Sequence, residues 1–100
     1  ENERLCFSIL SDYAHVLRDW KVRYAPQSPA EAPDERFVEA CHKLDEVEYY
    51  LDILTSGNSY ERSEVIHQQM ANGKLDRLRQ RLEKIHEGEI EDGYDTADVA

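Results

Sequence analysis

Residues 34–55 read DERFVEACHKLDEVEYYLDILT, and this stretch decides the fold. Phe37, Cys41, Leu44, Val47, Leu51 and Leu54 recur at steps of four and three. That spacing returns to one face of a helix, whereas a half-buried strand would alternate every second residue. Asp34, directly behind Pro33, is placed to accept from the free amides of the first turn, and Glu35 adds negative charge where the helix dipole favours it. The pattern stops at Thr55-Ser56-Gly57-Asn58, a cluster of helix breakers. The sequence therefore predicts a central helix over 34–55 that the segments before and after it can pack against.

Upstream, residues 2–24 read as a first helix with Asn2 as N-cap. Leu5, Ile9, Tyr13, Leu17, Trp20 and Tyr24 follow steps of about four and form its apolar stripe, which Phe7, Leu10 and Val16 widen. Pro26 disfavours helical geometry in the residue before it, so this helix must stop near Ala25. All three prolines fall in APQSPAEAP, residues 25–33. The expectation here is an extended, partly mobile linker, long enough to cross a bundle or to let the first helix pack on another chain.

Downstream, Asn58 with Glu61 three residues later has the form of a capping box opening a third helix over 59–71. Tyr60, Val65, Ile66 and Met70 are its expected buried residues. Asn72-Gly73 ends it, Gly73 being suited to a left-handed position. A fourth helix is expected over 74–87, with Leu75, Leu78, Leu82 and Ile85 inward and Lys74, Arg77, Arg79, Arg81 and Lys84 as its basic outer face. From Glu87 the carboxylates Glu89, Glu91, Asp92, Asp95 and Asp98 follow without any Lys or Arg, while Gly88 and Gly93 interrupt a helix. The expected organisation is an all-α helical bundle of about four helices over residues 1–87 and a disordered acidic tail over 88–100.

One hundred residues make one domain with one core. The formal net charge of −10 opposes binding to nucleic-acid backbones and anionic membranes, so neither is an expected partner. No apolar run reaches the roughly 18–20 residues of a membrane-spanning helix. Cys6 and Cys41 both lie on apolar helical faces, where a free thiol behaves as a small hydrophobe. Two such residues fit a reducing, intracellular setting better than a disulfide framework. Glu1 opens the sequence in place of Met, and the expectation is a domain or product of a larger regulatory protein.

No catalytic signature is legible. His15, His42, His67 and His86 fall on separate stretches, and Cys41-His42, adjacent on a helix, diverge by about 100°, which opposes joint ligation of one ion. There is no CxxC, HExxH, GxSxG or Gly-rich phosphate loop, so no metal, cofactor or enzymatic activity is expected. The aromatic residues carry the functional expectation instead. Tyr13, Trp20 and Tyr24 lie along the first helix, and of Tyr49-Tyr50 at least one must be exposed when Leu51 and Leu54 face inward. Such amphipathic aromatics favour interface hot spots, and these five are the expected partner-binding residues. The predicted function is a non-catalytic protein–protein interaction or dimerisation module, binding a protein partner or a second copy of itself. The alternative is an acidic inhibitor that occupies the basic nucleic-acid-binding groove of its target.

The run LDILTSGNSYERSEVIHQQMANGKLDRLRQRLE, residues 51–83, resembles a helical segment found beyond the DNA-binding region in many fungal transcription regulators. Leu51, Leu54, Glu61, Ile66, Gly73, Leu75 and Leu78 hold the corresponding places. The likeness covers about a third of the chain and implies a nuclear regulatory or dimerisation segment. It implies no DNA binding, because these residues include neither a basic nor a zinc-cluster DNA-binding region.

Overall fold

A computed structural model gives the fold of residues 2–88, and its regular structure is all helical. The helices are α1 (Asn2–Arg23), α2 (Glu35–Ser56), α3 (Ser59–Met70) and α4 (Lys74–His86), with a 3-10 turn at Ala71–Gly73 between the last two. Because only that turn separates α3 from α4, they form a single bent arm packed beside two long rods. The acidic tail expected from residue 88 lies, apart from Gly88, outside the described residues.

Local chemistry sets the helix ends. Asp34 Oδ1 accepts from the Arg36 backbone N–H at 2.8 Å and caps α2. Asn58 Oδ1 accepts from the Glu61 N–H at 2.8 Å while Glu61 Oε1 accepts from the Asn58 N–H at 2.9 Å, so the capping box of α3 is complete. At the bend, Asn72 and Gly73 both adopt left-handed backbone, with φ of 57° and 69°. Asn and Gly tolerate that conformation best, and the pair lets the chain leave α3 and re-enter a helix at once.

α1 and α2 lie antiparallel. Arg18 reaches Glu48 at 3.1 Å, the Arg36 guanidinium sits 3.9 Å from the centre of the Tyr24 ring, and Phe7 and Leu54 line one hollow at the far end. The linker therefore makes a compact turn and does not cross the bundle. Glu31 Oε1 accepts from the Gln27 N–H at 2.7 Å within it, and Arg36 clamps both Asp34 and Tyr24 at its exit. The bent arm then returns along α1, from Arg62 beside Glu3 to His86 beside Asp12.

The core consists of Cys6, Ile9, Leu10, Ala14, Leu17 and Trp20 of α1, Ala40, Leu44, Val47 and Leu54 of α2, Val65 of α3, and Leu75 and Leu82 of α4. Burying each large aliphatic side chain contributes roughly 1.5–3 kcal/mol of transfer free energy. The α1 face is turned from the expected one: Leu5 is 44 % exposed and Phe7 lies partly in solvent, while Cys6, Leu10 and Ala14 are fully covered. Small residues at Cys6, Ala14 and Ala40 allow close helix approach, which is why the buried face runs through them. In α3, Tyr60 is 73 % exposed and Met70 is also exposed, contrary to expectation. Gln69 is buried in their place. Tyr60 stands in the first turn of α3, and Met70 follows Gln69 about 100° round the helix, so the covered side of this short helix runs through Val65 and Gln69 and misses both.

Candidate functional site

The α3–α4 bend has a consequence for the surface. α4 packs on α1 and α3 but its backbone stays clear of α2, so an open groove of about 460 Å³ separates α2 from α4. Leu10, Val47 and Leu78 give it an apolar floor, and Tyr13 and Tyr50 stand in it as aromatic walls. Lys43 of α2 and Lys74, Arg77, Arg81 and Lys84 of α4 surround that floor; Glu46 is the carboxylate that lines it, and Glu39 lies 4.0 Å from Lys43. In a chain of net charge −10 this is a local reversal of sign.

Helical spacing explains how the α4 cations converge. Lys74, Arg77, Arg81 and Lys84 recur at three, four and three, and so occupy one face alongside the buried Leu75–Leu82 stripe. Arg79 belongs elsewhere: it is tied to Asp76 at 2.7 Å and to Glu83 at 3.0 Å on the outer surface, and the Asp76 hydrogen bond followed by both neighbouring charges raises its pKa. Arg77 Nη1 also donates to the Asn72 carbonyl, coupling one groove cation to the bend. At the far end of α4, His86 Nε2 lies 3.0 Å from both carboxylate oxygens of Asp12 and pins the helix to α1.

Both groove tyrosines keep their protons at neutral pH. Burial raises the pKa of Tyr13, reinforced by the charges of Glu39 and Glu46 against a lowering effect of Arg81. Burial also raises that of Tyr50, followed by the charge of Glu46 and a hydrogen bond to it. The Glu46–Tyr50 contact leaves the carboxylate inside the groove partly satisfied and close to the cations.

The five aromatic candidates are thus divided. Tyr13 and Tyr50 meet in the groove. Trp20 is only 3 % exposed and belongs to the core, which takes it off the surface where a partner would touch it. Tyr24 meets Trp20 edge-on at 6.0 Å between ring centres and carries Arg36 on its face, so it closes the linker. Tyr49 is 62 % exposed, its ring centre 5.7 Å from that of Tyr50. Sequence reasoning found the α4 cations but missed Lys43 and Glu46, which join them only through the packing of α2 beside α4.

Other chemistry is sparse. Cys6 and Cys41 are free thiols, and burial raises the pKa of Cys6. Among the described residues no group of three His, Cys, Asp or Glu side chains is placed to hold a metal ion, and no helix is long and apolar enough to cross a membrane. No protein-family model, no curated protein and no solved structure matches the chain.

Proposed function

We propose that this chain is a non-catalytic protein-interaction module whose groove between α2 and α4 receives an acidic, amphipathic segment of a protein partner. The supporting observation is the convergence of Lys43, Lys74, Arg77, Arg81 and Lys84 around an apolar floor flanked by Tyr13 and Tyr50. An amphipathic helix laid into such a groove buries its apolar face on Leu10, Val47 and Leu78 while its carboxylates meet the cations. The tyrosines supply contact area together with hydroxyl donors. On this reading the bent arm acts as two helices of a four-helix bundle, and the module belongs to a larger intracellular regulatory protein. A nuclear role follows if the likeness to fungal regulators reflects kinship.

The test uses a designed acidic amphipathic peptide with a Leu stripe, titrated by fluorescence anisotropy. Micromolar binding is expected, weakening as salt rises because the paired charges are partly exposed. Lys74→Glu combined with Lys84→Glu, both on the exposed surface, should lower affinity by tenfold or more. Tyr50→Ala should cost on the order of 2 kcal/mol of binding. Affinity unchanged in both variants would remove the groove from the site.

The acidic-inhibitor reading retains support from the net charge of −10. It predicts steeply salt-dependent affinity for basic, nucleic-acid-binding proteins and insensitivity to the Lys74/Lys84 reversal. Self-association is the other form of the interaction reading, and light scattering over a wide concentration range separates a dimer from a monomer.

A further inference from the structure

α4 closes at Glu87, and Gly88 follows in the left-handed region with φ of 80°, its N–H donating to the Ile85 carbonyl at 3.1 Å. This cap turns the chain away from the helix axis beside the Lys84 end of the groove. The sequence then continues over residues 89–100 as EIEDGYDTADVA. That segment has the chemistry the groove is built to meet. Glu89, Glu91, Asp92, Asp95 and Asp98 carry negative charge without any Lys or Arg, and Ile90 and Tyr94 are spaced to share one face of a helical turn.

We propose that residues 89–100 occupy the basic groove of their own chain, so that an outside acidic partner must displace them. This rests on the reading of the groove as a site for acidic, amphipathic segments. Reach is no obstacle. Returning from Gly88 to Lys74 along α4 covers about 21 Å at the helical rise, whereas twelve extended residues span about 40 Å. Tethering matters more than intrinsic affinity. A segment joined directly to the rim of its site experiences an effective concentration on the order of millimolar, so a contact too weak to detect between separate molecules is well populated within one. Only the unoccupied fraction can then bind a competitor, and the apparent affinity falls in proportion to that fraction. The groove is thereby masked until a partner with better apolar anchors, or a change in ionic strength, shifts the balance.

The experiment compares the full chain with a full-length variant carrying Glu89→Gln, Glu91→Gln, Asp92→Asn, Asp95→Asn and Asp98→Asn. The probe is a labelled peptide of residues 89–100, titrated in about 50 mM salt where such pairs are least screened. A designed acidic amphipathic peptide serves as a second probe, and backbone amide shifts are recorded for both chains. The expected result is that the peptides bind the neutralised chain about threefold or more tighter than the wild type. The amide signals of Lys74, Arg77 and Lys84 should also differ between the two chains, independently of protein concentration. Equal affinity for both chains, with the probes still perturbing the groove signals, would overturn occupation in cis and leave the groove reading standing. Failure of both probes to bind either chain would overturn the two together. Amide differences that grow with protein concentration would place the segment in the groove of a second copy, which also overturns the proposal.

Discussion

The α1–α2 pair and the α3–α4 arm are built to different standards. Each long helix runs 22 residues, and their facing sides contribute most of the core, including the fully covered Cys6, Leu17 and Ala40. The arm consists of helices of 12 and 13 residues and buries only Val65, Gln69, Leu75 and Leu82. It also supplies four of the cations around the groove, Lys74, Arg77, Arg81 and Lys84. The difference teaches how labour is divided on the proposed reading: the pair is a scaffold that also lends Leu10 and Val47 to the groove floor, and the arm is a charged wall set against it at a distance.

The sharpest way to break this contrast is to delete the same side chain from each part. Leu17→Ala should cost about 3 kcal/mol or more, because close packing on several sides prevents collapse around the cavity. Leu82→Ala should cost about 2 kcal/mol, since the arm can settle inward. Urea denaturation of both variants decides it, and equal losses would erase the distinction between scaffold and wall. Next in size is Gly73→Ala. A Cβ there has room, its nearest neighbour being Arg77 Nη1 at 3.5 Å, so the cost comes from the left-handed backbone alone and should be about 1–2 kcal/mol. Peptide affinity should fall in the same variant even at temperatures where it stays folded, which links the bend to the groove.

Glu46→Gln sharpens the contrast from the other side. Removing the carboxylate that lines the groove should tighten binding of an acidic peptide by about two- to fivefold with little change in stability. The smallest effect is expected at the α2 cap. Hydrogen bonds from the Arg36 side chain and backbone, followed by its charge, hold the Asp34 carboxyl below its ordinary pKa. A depressed folded-state pKa gives stability that is complete above the ordinary carboxylate value and is lost as pH falls through the folded value. Asp34→Asn keeps a capping side chain without that charge. Its urea midpoint should therefore trail the wild type slightly at pH 7, and the gap should close on acidification below about pH 4.

What could be read from the sequence was what is local. The Asp34 cap, the Asn58–Glu61 box and the left-handed Gly73 each depend on neighbours within a few positions, and all are present. The inward face of α1 was harder to read, because its stripe is wide and two of its fully covered positions are Cys6 and Ala14. Small side chains carry little hydrophobic signal, yet they are what close helix packing requires. Tyr60 and Met70 misled for the opposite reason, since large apolar groups off the covered side of a short helix need not meet any partner. For the groove, the α4 cations and both tyrosines were visible, but as separate features. Only the bend, which holds α4 clear of α2, brings Lys43 and Glu46 into the same site. The Asn72-Gly73 pair was the available signal: two adjacent residues tolerant of positive φ mark a sharper change of direction than one.

That bend also governs how the protein can change over evolutionary time. The groove is opened by two backbone positions, whereas its chemistry is written in side chains such as Lys74 and Lys84 that stand exposed on the rim. Substitutions at exposed positions usually leave stability within about half a kcal/mol. On the proposed reading, the set of partners can therefore drift residue by residue while the opening itself persists. Loss of the Asn72-Gly73 turn would act differently, moving the whole α4 wall of the groove in a single step.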